Sequence, residues 1–149
     1  MSYWSGFHSG CWWSYFEGQI TEMDWESFLA FSRRSYTKGR PGDVILTIPY
    51  RASAPSPLMR QELAKLIDVT RGGNPITHHA FATDSRLILA INTAINWLSR
   101  KPYQERTFGD PAEAIAWLAQ CNPAIHPAEL AKKILATIPA GSRWRLLAA

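Results

Sequence analysis

The sequence predicts an α/β domain: a mixed, largely parallel sheet of about five strands flanked by four helices, with one extra helix at the C-terminus. Three observations lead there. Candidate strands alternate with amphipathic helices from residue 20 to residue 121, and repeated strand–helix units need crossover connections and hence parallel neighbours. The segment Asp43–Tyr50 is a nearly continuous apolar run, as a strand covered on both faces requires. Before these units, two aromatic-rich runs flank Ser9-Gly10, which reads as an antiparallel hairpin.

The hairpin strands are Tyr3–His8 and Cys11–Glu17. A first helix starts at Thr21, an N-cap residue, with Ile20 and Trp25 at the two positions of a hydrophobic staple. Trp25, Phe28 and Leu29 follow on one face, and the helix ends before Lys38-Gly39-Arg40-Pro41-Gly42. The strand Asp43–Tyr50 and a loop over Arg51–Pro57 come next. Ser56 caps a second helix with Pro57 at its first position, where a missing N–H costs nothing. Leu63, Leu66, Ile67 and Thr70 mark its inner face, and Arg71-Gly72-Gly73-Asn74-Pro75 stops it. Ile76–Thr83 reads as another interior strand. Asp84 is expected to cap a long apolar helix with Leu87, Ile88, Ile91, Ala94, Ile95 and Leu98 inward. Tyr103–Phe108 is shorter and more polar, as an edge strand is. Asp110-Pro111-x-Glu113 combines cap, proline and acid at a helix start, with Ile115, Leu118 and Ala119 inward. This core is expected over residues 1–121. Residues 122–149 are expected to add a helix over 127–138 (Leu130, Ile134, Leu135, Ile138), packed on or beside the core, and then a frayed end.

Composition narrows the class. A chain of 149 residues suits one domain that needs no disulfide or metal staple. A 46% hydrophobic and 19% charged composition is that of a globular protein. No apolar run reaches the roughly 18 residues of a membrane span, and residues 1–10 lack the pattern of a secretory signal. Cys11 and Cys121 stand far apart without zinc spacing, so free thiols and a cytoplasmic location are expected, with no metal and no cofactor. The net charge is +4, but residues 122–149 hold Lys132, Lys133, Arg143 and Arg145 against Glu129, so three of those charges sit in the tail. A nucleic-acid partner would call for a concentrated basic face, and none is expected.

One stretch carries a family likeness. Ala94-Ile95-Asn96-Trp97-Leu98, then Lys101-Pro102-Tyr103, then Thr107 through Leu118 (TFGDPAEAIAWL) resembles the C-terminal half of stand-alone bacterial STAS-like proteins. That family is named for sulphate transporters and anti-sigma factor antagonists, and the likeness in element order covers roughly residues 3–121. It implies a regulatory module that meets a protein partner through the loop and helix start after the central strand. Signalling members phosphorylate a serine there. The matching residues here are Ser53-Ala54-Pro55-Ser56-Pro57, so Ser53 and Ser56 are the phosphorylation candidates. A phosphate at a helix N-terminus is favoured by free N–H groups and the dipole. The sequence departs from the family in lacking the aspartate before the serine; Arg51, Ala52 and Ala54 surround Ser53, and Ser56 reads first as an ordinary N-cap.

Other residues have side chains capable of chemistry. His78 and His79 are adjacent in a strand, so they point to opposite faces and cannot easily share a metal. Packing roles are favoured for both; a catalytic pairing of either with Asp84 at the strand's C-terminal end is the alternative. No nucleophile elbow, dinucleotide fingerprint or Walker loop occurs. Trp12 and Trp13 alternate faces, so one is expected inward and one outward, either as a contact surface or beneath the terminal helix. Asn92 and Asn96, at i and i+4, are expected to face solvent, with a polar pocket as the alternative.

These readings favour a non-catalytic protein–protein interaction or regulatory module, not an enzyme, whose partner is another protein or a second copy in a homodimer. The expected surface comprises Arg51, Ser53, Ser56, Leu58, Met59 and Arg60, with Trp12 and Trp13 second. The alternative is a binder of a small molecule, a lipid or nucleotide, held between sheet and helices. An enzyme using His78 or His79 with Asp84 comes third.

Overall fold

The computed structural model describes residues 2–144. Ten elements follow one another: β1 (Tyr3–His8), β2 (Cys11–Gly18), α1 (Glu22–Lys38), β3 (Val44–Ala52), α2 (Pro57–Thr70), β4 (His78–Ala82), α3 (Arg86–Leu98), β5 (Gln104–Phe108), α4 (Pro111–Cys121) and α5 (Pro127–Thr137). The five strands lie in chain order across one sheet. β1 and β2 pair antiparallel, and every other neighbouring pair is parallel. The expected mixed, largely parallel sheet is therefore present.

Local chemistry accounts for most boundaries. Ser9 and Gly10 both have positive φ (47° and 86°), the requirement of a tight two-residue hairpin turn. Thr21, Ser56 and Asp110 cap α1, α2 and α4 by accepting from Asp24 N, Met59 N and Ala112 N. Ile20 and Trp25 are both buried, as a staple requires. One proline sits inside the central strand. The β3–β4 ladder stops at Thr47 opposite Phe81, before Pro49, while β2 pairing continues past it. The missing N–H of Pro49 thus falls on the β4 side, where its carbonyl accepts instead from Thr83 Oγ1 at 2.8 Å.

The sheet is covered on both faces, and strand alternation decides which side chains meet which layer. Cys11, Trp13, Tyr15, Val44, Leu46, Ile48, Tyr50, Ala80 and Ala82 face α4, α5 and Trp144 in one cluster. On the opposite face Phe16, Ile45, Thr47, His79 and Phe81 lie under α1, α2 and α3.

Four expectations change. Asp84 does not cap α3: Ser85 does, accepting from Ile88 N, because the Asp84 carboxylate turns to the backbone N–H of Arg51. Leu87 and Leu98 face outward, because the apolar side of α3 is wider than the sheet can cover and the sheet takes the stripe Ile88, Ile91, Asn92 and Ile95. Asn92 is buried instead of facing solvent; the Glu105 carboxylate beneath α3 holds it in. Trp13 cannot serve as a contact surface, being 3% exposed. Its indole lies against Gly6, its cross-strand partner, where a Cβ would stand 2.7 Å from the ring, and α5 covers that side.

α5 is thus part of the core. Leu130 and Ile134 are fully buried in the cluster that holds Trp13 and Tyr15. Ile134→Ala is expected to lower the unfolding free energy by roughly 2–5 kcal/mol, read from urea unfolding. A change near zero would mean that α5 does not contribute to the fold.

Candidate functional site

Two arrangements meet at the α1–α2–α3 side of the sheet. One is the surface around the β3–α2 loop. Arg51, the penultimate residue of β3, has φ of 45°, a sparsely populated region for a side-chain-bearing residue. Its N–H donates to Asp84 Oδ1 at 3.2 Å, which ties the β3–α2 loop to the turn after β4. Ser53 Oγ, half-buried, accepts from the Ile20 N–H at 2.8 Å. Ser56 is exposed and its hydroxyl is occupied with capping. Arg60 Nε folds back onto the Pro55 carbonyl. Past these residues, Leu58 is 65% exposed, and Met23 on α1 is 77% exposed. A groove of about 220 Å³ runs between the two helices there, lined by Trp25, Met59 and the acids Glu22, Glu26 and Glu62.

Of the residues expected at the surface, Arg51, Ser56 and Leu58 are exposed, Ser53, Met59 and Arg60 are half-buried beside them, and all six share one end of the sheet. Trp12 does not join them. It is half-buried near the other end of β2, donates its indole N–H to Asp43 Oδ2 at 3.0 Å and packs on Phe7 and Phe31.

The second arrangement is internal, and the sequence did not reveal it. His79 is buried under the helices. One ring nitrogen, Nε2, lies 2.8 Å from Thr47 Oγ1, and the other, Nδ1, lies 2.6 Å from Glu105 Oε1. Glu105 also accepts from Lys101 Nζ at 2.6 Å, Asn92 Nδ2 at 3.0 Å and Asn96 Nδ2 at 3.2 Å. Lys101 in turn donates to Asn92 Oδ1 at 3.1 Å. Burial would raise the Glu105 carboxyl, but His79 and Lys101 outweigh it and hold the group well below the usual carboxylate range. Burial holds the His79 imidazole below its ordinary value against the pull of Glu105. His79 is therefore neutral at pH 7, with Nδ1–H donating to Glu105 and Nε2 accepting from Thr47. The charge balance rests on Glu105 and Lys101.

This chain of hydroxyl, imidazole and carboxylate has the connectivity of a nucleophile, base and orienting acid. Its surroundings set a limit, since Thr47 is 6% exposed. Thr47 and Asn92, with Ser53, instead form the polar part of the wall of an apolar cavity of about 60 Å³ between sheet and helices, lined also by Phe16, Trp25, Phe28, Phe81 and Ile91. Trp25 stands at the boundary of that cavity and the outer groove. Its indole N–H is buried and makes no hydrogen bond among the described residues.

The two histidines part as their adjacency predicts. His78 packs edge-on against Trp117 of α4 on the other face. Neither histidine pairs with Asp84 among the described residues; the carboxylate that meets His79 comes from the neighbouring strand, where the register places Glu105 opposite it. Asn92 and Asn96 were the one legible signal: two amides at i, i+4 on an apolar helix mark a side that meets something polar.

No family model matches the chain, and no curated protein matches it. A crystal structure of an uncharacterized protein from the DUF3478 family with a SpoIIAA-like fold, from Shewanella loihica PV-4, does match in three dimensions. The TM-score is 0.57 at 18% sequence identity, over 78% of this chain and 94% of that one. The fold is therefore SpoIIAA-like, the STAS-like architecture that the sequence pointed to.

Glu105→Gln is expected to cost roughly 3–5 kcal/mol at pH 7, because it leaves the Lys101 ammonium buried without a counter-charge. Adding Lys101→Met should recover part of that loss, measured by urea unfolding of the two variants. Equal stability of wild type and Glu105→Gln would show that the buried network contributes nothing.

Proposed function

We propose that this chain is a non-catalytic interaction module of regulatory type, which takes a protein partner on the groove between the start of α2 and α1. The observation that supports this most is the exposure of Leu58, a large apolar side chain that lines that groove. Leu58 and the half-buried Met59 beside it stand at one end of the sheet, next to a loop fixed by the Arg51–Asp84 and Ser53–Ile20 contacts. Exposed apolar anchors on a rigid support are what a contact hot spot needs. The rim acids Glu22, Glu26 and Glu62 favour a partner segment that carries an apolar anchor with basic neighbours. Phosphorylation of Ser56 would place a dianion among those acids and change that preference.

Leu58→Asp tests the reading. Its site is exposed, so stability should stay within about 0.5 kcal/mol of wild type. Quantitative capture from source-cell lysate should lose the bound partner by at least tenfold, a loss of about 1.4 kcal/mol or more. An unchanged set of captured proteins would sink the proposal.

A second reading, binding of a small and mainly apolar molecule, is supported by the unpartnered indole N–H of Trp25 at the cavity wall. A buried donor without an acceptor costs about 1–3 kcal/mol, and an acceptor group on a ligand would relieve that cost. Native mass spectra of the freshly purified protein are expected to carry a mass excess that denaturation removes. The bare mass in every preparation would count against this reading.

A further inference from the structure

The outer side of α3 has no role in either reading above. Its inner side, Ile88, Ile91 and Ile95, is buried, but Leu87, Trp97 and Leu98 are 63%, 83% and 59% exposed. A helix on the surface of a globular domain normally turns polar residues to water, and α3 turns a tryptophan and two leucines. The electrostatics of this stretch are equally one-sided. Between Asp84 and Glu105 the chain has no acidic residue. Arg86 opens α3 and Arg100 follows its last turn, and neither forms an ion pair among the described residues. Lys101, the other cation of the stretch, is turned inward to Glu105. The carboxylate that reaches the C-terminal end of α3, Asp68 bonded to Ser99 Oγ, is paired with Arg71, so the exposed surface is an apolar strip with an unpaired cation at each end among the described residues. Asn92 and Asn96, bonded to Glu105, fix the rotation of α3 so that this strip stays outward.

We infer that α3 docks this face on an anionic lipid surface, lying in the plane of the interface. At about 1.5 Å per residue, its 13 residues reach roughly 20 Å, too short to span a bilayer and suited to lying flat on one. Trp97 has the amphipathic ring that settles at the headgroup level, and Arg86 and Arg100 meet the headgroup phosphates. A second copy of the chain fits less well. Three side chains of this size expose on the order of 400 Å², against the ~800 Å² per partner of a standard interface. Packing α3 on α3 would also gather the arginines of both copies with no acid on the helix to offset them.

Co-sedimentation of the full chain with phosphatidylcholine vesicles, alone or mixed with phosphatidylglycerol, tests this. The chain should pellet with the anionic vesicles at low salt, weakly with the neutral ones, and less as salt rises. Trp97→Ala should lower the partition coefficient at least about tenfold, and Arg86→Gln and Arg100→Gln about fivefold each. Leu58→Asp, on the other surface, should not change it. Circular dichroism and the thermal midpoint should be unaltered in Trp97→Ala, whose side chain is almost fully in water. Failure to pellet with anionic vesicles would overturn the inference. So would unchanged binding by Trp97→Ala, which would leave charge alone as the cause. Sedimentation velocity showing a dimer that Trp97→Ala dissociates would also overturn it, by assigning the face to a second copy.

Discussion

Glu105 lies on an edge strand whose other side chains are exposed or half-buried, yet its carboxylate meets one imidazole, one ammonium and two amides. An ionised carboxylate taken out of water must have its lone pairs filled and its charge matched, or the group neutralises. Here both conditions are met by residues from three places: His79 of β4, Asn92 and Asn96 of α3, and Lys101 of the α3–β5 connection. The same contact therefore registers the edge strand, sets the rotation of α3 and closes the chain between them. A hydrophobic contact would not be so specific, because apolar packing is non-directional and tolerates small rotations of a helix.

The consequences reach the surface. With α3 held by its amides, its apolar residues divide between an inner stripe in the core and an outer strip in water. With Pro49 unable to donate toward β4, the central strands part just before the loop that carries Ser53 and Ser56. That parting lies at the cavity bounded by Thr47, Pro49 and Phe81. The C-terminal ends of parallel strands are where α/β sheets open toward ligands and partners, and here the loop ties Arg51–Asp84 and Ser53–Ile20 make that end rigid.

The opposite face of the sheet is closed. Cys11, Trp13, Tyr15 and the inward residues of β3 lie under α4, α5 and Trp144, and the Glu17 carboxylate accepts from both Tyr15 Oη and Arg143 N. A sheet face sealed this way supports the fold, and the cavity and the groove described above lie on the other side. The SpoIIAA-like likeness agrees with that architecture. At 18% identity it shows the fold alone, because function resides in the particular residues of a site.

Signals that act over a few residues were legible in the sequence. The hairpin turn at Ser9-Gly10, the caps Thr21, Ser56 and Asp110, the two-face alternation that separates His78 from His79, and the element order all follow from neighbours in the chain. What sequence could not decide was which of several suitable residues a distant element would choose. The apolar side of α3 is wider than the sheet covers, so only the position of the sheet could select Ile88, Ile91 and Ile95 and leave Leu87 and Leu98 outside. Asp84 suits both a cap and a bridge, and only the approach of Arg51 settled it. The pairing of His79 with Glu105 spans 26 positions and depends on β4–β5 register. Local patterns fix backbone conformation because their energetics are local; burial, partner choice and exposure depend on what else arrives, and that is decided by tertiary packing.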